Sequence, residues 1–516
     1  MPSQLTCRLT LSLTAMMLLG PVHAGQQQDY QQWLQQTQRE YKEYLDANDR
    51  AFLKFLDHRW QQLDTNAAEQ RDPNPKPPIA PIAQPKSSPA TPEPSPTEPA
   101  SPEPSITKPS TPPSNELPPL TPPSVVQPQT EKPDPQIADG EAEGKGKAED
   151  DSLSLEFFGQ TIKLNGARKL RLAKAAGRRP QAFADSWQTM AQQDWQPLLQ
   201  QLQQQFTTLK LNRWGQYLLI RQTADAIQPD HDRRLLSAWF LLIKAGIDSR
   251  IAYNSQSLWL LSASEQPVYN VTYLTVNGER YYELGNPLAS QSQPPLDANT
   301  RVSTYKQQHQ SGNLGLDFRH PYQFLATGET VQRQLGFDWH GHQQQFSFSY
   351  PANLIPWLAS YPQLPLKDYF EAGLPEAAAQ QWLAELKPRL QGMTDTEAVN
   401  YLLRLVQTGF AYQTDEQQFQ TENYLYPLET LYYPYSDCED RAALFSWLVR
   451  ELLQLPVAMV EFPGHVATAI ALDNAEGYGW YWQGRRYVIA DPTYINADLG
   501  MIMPNLRQHN PTLSQL

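Results

Sequence analysis

Cysteine is scarce in this chain, which has only Cys7 and Cys438 in 516 residues. Two cysteines exclude a scaffold held by several disulfides and a zinc site built from thiolates. Basic residues are also in the minority. The formal net charge of −13 argues against a nucleic-acid partner, whose phosphates require a basic surface. No run of about 18 apolar residues occurs after the N-terminal region, so we expect no transmembrane segment in the mature protein.

The first 24 residues have the features of a secretory signal peptide. Arg8 provides a short basic region, residues 9–20 are mostly apolar, and residues 22–24 (Val-His-Ala) offer a cleavage site. An uncleaved membrane anchor is the alternative, but the apolar run is too short to cross the ~30 Å of hydrocarbon in a bilayer. We therefore predict an exported protein, periplasmic or secreted.

Two unusual segments follow. Residues 25–70 are rich in Gln, and their aromatic and Leu residues recur at three- and four-residue steps, which predicts an amphipathic helical arm. This arm packs on the rest of the chain, on itself or on a partner. Residues 71–150 contain about half of the 46 prolines and predict a disordered, extended linker that holds the arm away from the body.

From residue 151 onward the composition is that of a globular α+β protein. We divide it into an α+β module at 151–295, a β-rich segment at 296–360 and a C-terminal module at 361–516. The first module has helical patterns at 185–250 and strand patterns at 251–286. Residues 300–350 read as several short strands. Helical patterns return at 365–411, ahead of the residues that carry the candidate chemistry.

Cys438 is the one cysteine that signal cleavage leaves, so it is either a buried inert side chain or a deliberately free thiol. Turn-like residues precede it, and the apolar positions 442, 445, 449 and 452 follow on one helical face. This pattern places Cys438 in the first turn of a buried helix. The unpaired N–H groups and positive dipole there favour thiolate, so we expect a lowered thiol pKa.

A thiolate nucleophile needs a base and a group that orients the base. His465 begins a strand-like run after Pro463-Gly464, and Asp491 ends another such run. The spacings of 27 and 26 residues (465 − 438 and 491 − 465) leave room for a helix and a strand, then a hairpin. Each residue alone also has a structural explanation: a core cysteine, a satisfied strand histidine and a turn aspartate.

The order Cys, His, Asp resembles the transglutaminase-like superfamily of papain-like cysteine enzymes, particularly bacterial exported members. Their elements are present here as Asp-Cys-Glu-Asp-Arg at 437–441, Pro-Gly-His-Val at 463–466 and Asp-Pro-Thr-Tyr at 491–494. Residues 410–415 are similar to the family's lead-in to the cysteine. The resemblance covers about residues 390–505.

This resemblance implies that Cys438 attacks an amide carbonyl, that His465 acts as base and then as acid, and that Asp491 fixes the imidazole. It implies no cofactor and no metal. The backbone N–H of Cys438 is the expected oxyanion donor, with Gln407 or Tyr412 as side-chain alternatives. We expect residues 439–441 to anchor the helix start by ion pairing.

Residues 230–286 resemble the C-terminal module and predict a degenerate copy of it. Asp232–Phe240 aligns with Asp440–Leu448, which places Asp230 opposite Cys438. Gly285 falls opposite Asp491, and residues 269–271 fall opposite 464–466. Such a copy has neither nucleophile nor base. Chance similarity between two helix–hairpin stretches is the alternative.

The expected function is therefore that of an exported cysteine hydrolase or transamidase, a transglutaminase-like cysteine protease or acyltransferase. It acts on a peptide, isopeptide or glutamine amide through a Cys438 thioester. The expected partner is a protein or peptide substrate, such as an envelope protein or a peptidoglycan stem peptide. The alternative is a non-catalytic envelope adaptor that uses a transglutaminase-like fold to bind protein. The sequence indicates neither the oligomeric state nor whether water or an amine resolves the thioester.

Overall fold

The computed structural model describes residues 36, 47, 49–54, 56, 60–70, 76–83, 151–173, 177–289, 294–306, 313–472 and 474–516. The structure is 38% helical and 26% strand, which confirms the α+β class. The predicted signal peptide and most of the predicted linker lie outside the described residues. Within the described part of the chain, no helix has the length and apolar character needed to cross a bilayer.

The helices with defined bounds are α1 (Pro180–Gln192), α2 (Gln196–Thr208), α3 (Arg213–Ile227), α4 (His231–Lys244), α5 (Leu354–Leu358), α6 (Leu366–Ala372), α7 (Glu376–Leu390), α8 (Asp395–Gly409), α9 (Asp415–Phe419), α10 (Pro427–Tyr432) and α11 (Cys438–Leu453). The strands are β1 (Gln61–Asp64), β2 (Leu153–Phe157), β3 (Gln160–Leu164), β4 (Ser249–Tyr253), β5 (Leu258–Ala263), β6 (Tyr273–Val276), β7 (Glu279–Tyr282), β8 (Arg301–Thr304), β9 (Thr330–Trp339), β10 (His342–Pro351), β11 (Ala411–Tyr412), β12 (Tyr435–Ser436), β13 (Val457–Phe462), β14 (His465–Ala471), β15 (Gly479–Trp482), β16 (Arg485–Ala490) and β17 (Thr512–Gln515).

Two antiparallel sheets organise the body. The first has the order β1-β8-β4-β5-β7-β6 and packs against α4. The second has the order β15-β16-β14-β13-β17 and packs against α11. Adjacent residues of β13 belong to different apolar clusters, Met459 to one and Val460 to the other. Because neighbouring strand residues point to opposite faces, both faces of the second sheet are covered.

The two sheets repeat one topology, since β8-β4-β5-β7-β6 after α4 matches β17-β13-β14-β16-β15 after α11. A constant offset of 208 residues relates Asp230 to Cys438, Ser249 to Val457 and Ser262 to Ile470 (438 − 230, 457 − 249 and 470 − 262). The strand pairs Ser249–Ser262 and Val457–Ile470 follow the same offset. This is the arrangement expected of a duplicated module.

The strand pairing corrects one part of the predicted alignment between the two modules. Ser257, and not Asn270, takes the position of His465 under the offset of 208 (465 − 257), because residues 269–271 lie beyond β5. The hairpin β6–β7 matches β15–β16 with an offset of 206, which keeps Gly285 opposite Asp491 (491 − 285). The first module therefore has Asp, Ser and Gly where the second has Cys, His and Asp.

The N-terminal arm is only partly helical. Residues 49–54 and 56 are helical, and Phe52 is buried between the rings of Trp187 and Trp239. The described helical part of the predicted arm thus packs on the first module. Residues 61–64 form the edge strand β1 and not the predicted helix, because they pair with β8. Their side chains alternate between half-buried and exposed, as they do in a strand with one covered face.

Residues 76–83, which we call the cover segment, lie on the second module. Ile82 forms a parallel bridge with Ile495. The N–H of Ala83 donates to the Ile495 carbonyl at 2.8 Å, and the Ile495 N–H donates to the Pro81 carbonyl at 2.9 Å. Residues 76–83 contain a bend and one isolated bridge and are attached to the body, so this part of the predicted linker is not a free spacer.

The predicted β-rich segment is one long hairpin and not several short strands. β8 joins the first sheet, while β9 and β10 pair along their full length, and the hairpin packs on α7 and α8. Phe337 of β9 lies edge to face against Tyr401 of α8, with ring centroids 5.1 Å apart. The hairpin is therefore continuous with the helical part of the C-terminal module.

Candidate active site

Cys438 is the first residue of α11 and is completely buried. The N-cap is Asp437, and the Asp440 carboxyl accepts hydrogen bonds from the Asp437 N–H at 3.3 Å and the Leu425 N–H at 2.9 Å. The apolar positions that follow Cys438 bury this helix on the second sheet. The predicted place of Cys438 in the first turn of a buried helix is confirmed.

The thiol of Cys438 donates a hydrogen bond to Oε2 of Glu439 at 3.0 Å. Burial raises the pKa of Cys438 well above its ordinary value, and the carboxylates of Glu439 and Asp437 raise it further. The expected lowering of this pKa is therefore wrong for this arrangement. The helix dipole favours a thiolate, but a dry site and two adjacent carboxyl groups outweigh it.

His465 and Asp491 meet at the end of the second sheet. His465 begins β14 after a two-residue turn in which Gly464 has a φ of 70°, a conformation that favours glycine. Nε2 of His465 lies 2.9 Å from Oδ2 of Asp491. Oδ1 of Asp491 accepts the N–H groups of Thr493 at 2.9 Å and Tyr494 at 3.2 Å. The carboxylate is thus held on both oxygens.

This geometry selects the histidine tautomer. A carboxylate only accepts hydrogen bonds, so Nε2 of His465 carries a proton, and in the neutral form of the ring Nδ1 then holds the lone pair. Nδ1 is buried and has no hydrogen-bond partner among the described residues. A buried unpaired nitrogen is unusual, because buried polar atoms are normally satisfied.

The structure brings together two of the three predicted site residues by a direct hydrogen bond. Helix α11 packs on β14, which brings the element of Cys438 against the element of His465. The Cys438 thiol, however, bonds to Glu439, and His465 Nδ1 accepts no bond from it. A proton transfer from Cys438 to His465 therefore requires the thiol to turn away from Glu439.

Gln407 positions the backbone around Asp491. Its Nε2 donates to the Asp491 carbonyl at 3.1 Å and to the Ala497 carbonyl at 2.9 Å. Both amide hydrogens are used, so Gln407 is unsuited to the predicted alternative of an oxyanion donor. The Tyr412 hydroxyl, the other alternative, donates to the Pro77 carbonyl of the cover segment at 2.7 Å.

Arg441 anchors the helix start, but not by ion pairing as predicted. It is fully buried and donates to the carbonyls of Phe410 at 2.9 Å and Gln407 at 3.4 Å, and to the Ser436 hydroxyl at 3.2 Å. These bonds join the end of α8 to the beginning of α11. Burial lowers the pKa of Arg441 to about 10, so the guanidinium remains charged near neutral pH.

Four carboxyl groups beside Cys438 form a pocket that we call the acidic pocket: Asp415, Glu422, Asp437 and Glu439. Lys76 of the cover segment inserts its ammonium among them. Nζ lies 2.7 Å from Glu422, 2.9 Å from Asp437 and 3.7 Å from Asp415, and it also pairs with Glu439. The Lys76 side chain is 13% exposed, and those of Asp437 and Glu439 are 0% and 1% exposed. The cation and three of the four acids are thus withdrawn from water.

Charge coupling dominates this pocket. Burial alone would lower the pKa of Lys76, but Glu439 and Asp437 raise it far above its ordinary value. Burial would raise the pKa of Glu439, whereas Lys76 and the Cys438 thiol lower it to about 2. Burial and Glu439 raise the pKa of Asp437 well above its ordinary value. Burial and charge coupling together therefore favour ionisation of Lys76 and Glu439 and oppose ionisation of Asp437.

Oxygen atoms in the acidic pocket are close enough to surround a cation. Ligand atoms of Asp415, Glu422 and Glu439 lie within 4.8 Å of one another, as do those of Asp437, Cys438 and Glu439. In this structure the cation is the Lys76 ammonium.

Sequence reasoning missed the acidic pocket. Asp415 ends the family-like lead-in, and Glu439 lies in the cysteine element, so both were visible as motif residues without an assigned role at the thiol. Lys76 gave no signal, because it stands in a proline-rich stretch remote in sequence from the residues that it contacts.

Comparison of the chain with protein-family models, with curated proteins and with solved structures gave no match. Functional inference for this chain therefore depends on the residues and the geometry described above.

Proposed function

We propose that this protein is an exported cysteine amidase or acyltransferase with a papain-like, transglutaminase-like C-terminal module. In this proposal Cys438 is the nucleophile, His465 the base and Asp491 the orienting group. The substrate is a peptide, isopeptide or glutamine amide. The observation that carries the proposal is the His465–Asp491 pair, which leaves a buried, unpaired Nδ1 lone pair beside the cysteine helix.

A structural histidine in a strand does not need this arrangement. Its two nitrogens would both find partners when buried, since an unsatisfied polar atom costs about 1–3 kcal/mol. Here one nitrogen is fixed by a carboxylate that two backbone N–H groups hold, and the other nitrogen has no hydrogen-bond partner among the described residues. An unpaired base that is oriented by a third group is the pattern of an activated nucleophile pair.

The proposed reaction starts with the Cys438 thiol turning from Glu439 to Nδ1 of His465. The proton passes to Nδ1, and the thiolate attacks the amide carbonyl. The tetrahedral oxyanion is bound at the α11 N-terminus, where the backbone N–H of Cys438 has no acceptor within the helix. As the C–N bond breaks, the imidazolium returns the proton to the leaving amine and a thioester remains. Water or a second amine then adds to the thioester and releases Cys438 as a thiol.

A second candidate is the non-catalytic adaptor. The complete burial of Cys438 and its raised pKa favour this alternative, because a slow, covered thiol is what a binding module would have. The two candidates differ in whether His465 accelerates thioester formation on Cys438.

Acylation by p-nitrophenyl acetate tests the proposal. The full mature chain is mixed with the ester, quenched in acid and digested, and acetyl groups are located by mass spectrometry. The proposal expects an acetyl thioester on Cys438 that His465→Ala greatly slows and Cys438→Ala abolishes. An adaptor would show acetylation of Cys438 no faster than a free thiol, with no effect of His465→Ala. Iodoacetamide labelling against pH gives an independent measure of the same thiol.

A further inference from the structure

We propose that the acidic pocket is a subsite for a primary ammonium group of the substrate, and that Lys76 of the cover segment fills it in the resting chain as a built-in competitor. The inference rests on the proposed function, because it assumes that the acidic pocket and Cys438 belong to one substrate cleft. The occupant of the subsite is then a peptide that carries a lysine or another primary-amine side chain.

The first argument is the charge of the pocket. Asp437 and Glu439 are almost completely buried, and Asp415 is 3% exposed, so these groups have little access to water. The buried carboxylate of Glu439, whose pKa is lowered, requires a counter-ion, because an isolated charge in a dry site costs several kcal/mol. A compact ammonium with three N–H donors fits four converging carboxyl groups better than a planar guanidinium does.

The second argument is that the cover segment is held as a peptide ligand would be held. Its ammonium lies in the acidic pocket, and the next carbonyl along the chain, that of Pro77, accepts a hydrogen bond from Tyr412. Farther along, the segment forms a parallel bridge with Ile495, four residues after Asp491 (495 − 491). Side-chain recognition combined with main-chain hydrogen bonds is a common mode of peptide binding.

The third argument is that the cover segment can dissociate from the second module. Its two large apolar side chains are mostly exposed, Ile79 by 78% and Ile82 by 67%, and only Ala83 is buried among apolar residues. Its three prolines, Pro77, Pro78 and Pro81, cannot donate backbone hydrogen bonds. Lys76 is therefore the charged anchor of the segment, and a competing ammonium would displace it.

The cover segment is also tethered close to its site. Glu69, seven residues before Lys76, forms an ion pair with Arg280 on the first module at 2.8 Å. A short tether gives an intramolecular ligand an effective concentration in the millimolar range. A substrate with a lysine must therefore bind more tightly than Lys76 alone, which restricts access to Cys438.

The test is chemical rescue of Lys76→Ala with n-propylammonium, which reproduces the three methylenes and the ammonium that the substitution removes. Binding to the full mature chain is measured by isothermal titration calorimetry at constant ionic strength. We expect saturable binding to Lys76→Ala at least about tenfold tighter than to the wild type, whose pocket is filled. The uncharged analogue 1-propanol should not bind to the pocket.

A matched control is Lys367→Ala, which removes a lysine from α6 whose side chain is 52% exposed. This variant should behave like the wild type. The probe needs only the space that the Lys76 side chain leaves, so absence of binding to folded Lys76→Ala overturns the proposal wherever the cover segment lies. Equal binding to Lys76→Ala and Lys367→Ala also overturns it.

A second measurement uses the unmodified chain, in case Lys76→Ala does not fold. Acetic anhydride acetylates free amines, and mass spectrometry follows each lysine. Lys76 should react at least about tenfold more slowly than the exposed Lys163 because its ammonium is buried and ion-paired. Equal rates would show that Lys76 does not occupy the pocket and would reject the proposal.

The subsite and the proposed chemistry can fail separately. Ammonium binding is repeated in the double variant Lys76→Ala, Cys438→Ala, which cannot form a thioester. Binding there, together with absence of acylation on Cys438 in the single variant, supports the subsite and rejects the enzyme. Acylation of Cys438 in Lys76→Ala without ammonium binding supports the enzyme and rejects the subsite.

Discussion

Asp491→Asn should invert the histidine tautomer on which the proposed reaction depends. Oδ1 of Asp491 accepts the N–H groups of Thr493 and Tyr494, and an asparagine must keep its carbonyl oxygen there to satisfy them. Its NH₂ group then faces Nε2 of His465. Because an amide NH₂ only donates, Nε2 must accept, and the ring proton moves to Nδ1. A neutral imidazole that carries its proton on Nδ1 cannot accept the proton of Cys438 at that atom.

The size of the effect follows from the hydrogen bonds that the reactive tautomer would lose. In Asp491→Asn, the reactive tautomer places Nε2–H of His465 against the NH₂ group of the asparagine. Each of these two buried donors then lacks an acceptor, which costs about 1–3 kcal/mol. The total of about 2–6 kcal/mol corresponds to a loss of roughly 30- to 10⁴-fold in rate, since ~1.4 kcal/mol is a factor of ten. This range agrees with the ~10²- to 10⁴-fold that general-base catalysis usually contributes.

The assay is the rate of Cys438 acetylation by p-nitrophenyl acetate at pH 7, with ¹⁵N NMR of the His465 ring to report the tautomer. Asp498→Asn is the matched control, because Asp498 follows the same strand but its side chain is 45% exposed. This variant should acylate at the wild-type rate. An unchanged rate in Asp491→Asn, with Nδ1 shown to carry the proton, would refute the role of His465 as base.

Three other changes have defined outcomes. Glu439→Gln removes a charge that raises the pKa of Cys438, so the midpoint of the iodoacetamide rate against pH should move down; an unmoved midpoint would contradict the assigned cause. Gly464→Ala places a Cβ at a φ of 70° and should lower the free energy of unfolding in urea by about 1–2 kcal/mol. Burial raises the pKa of Glu429 from 4.5 to about 8, so the folded state keeps a proton that the unfolded state releases, and stability should fall across this window. Glu429→Gln should remove that slope, which is at most ~1.4 kcal/mol per pH unit, in urea titrations at several pH values.

Local patterns predicted the parts of the site that depend on neighbouring residues. The apolar spacing after Cys438 predicted a buried helix that begins there, and the structure starts α11 at that residue. The Pro-Gly turn predicted a strand that begins at His465, and β14 begins there. In each case the signal and its cause lie within a few residues, so one sequence is enough to read them.

Contacts between distant residues could not be predicted in the same way. The pKa of Cys438 depends on the direction of the Glu439 side chain and on Lys76, which is 362 residues away in the chain (438 − 76). The strand at 61–64 depends on pairing with β8, more than 200 residues later. Its Leu and Gln residues fit a helical period equally well, and only the partner strand decides between the two.

The cover segment fixes where the proline-rich stretch leaves the body. Residues 84–150 follow Ala83 on the second module and precede Asp151, which lies two residues before β2 of the first module. Both flanks of this stretch are therefore parts of the described fold. A force applied at Ala83 would break the bridge at Ile495 first and would reach Lys76 last. The acidic pocket would thus be the last contact of the cover segment to open.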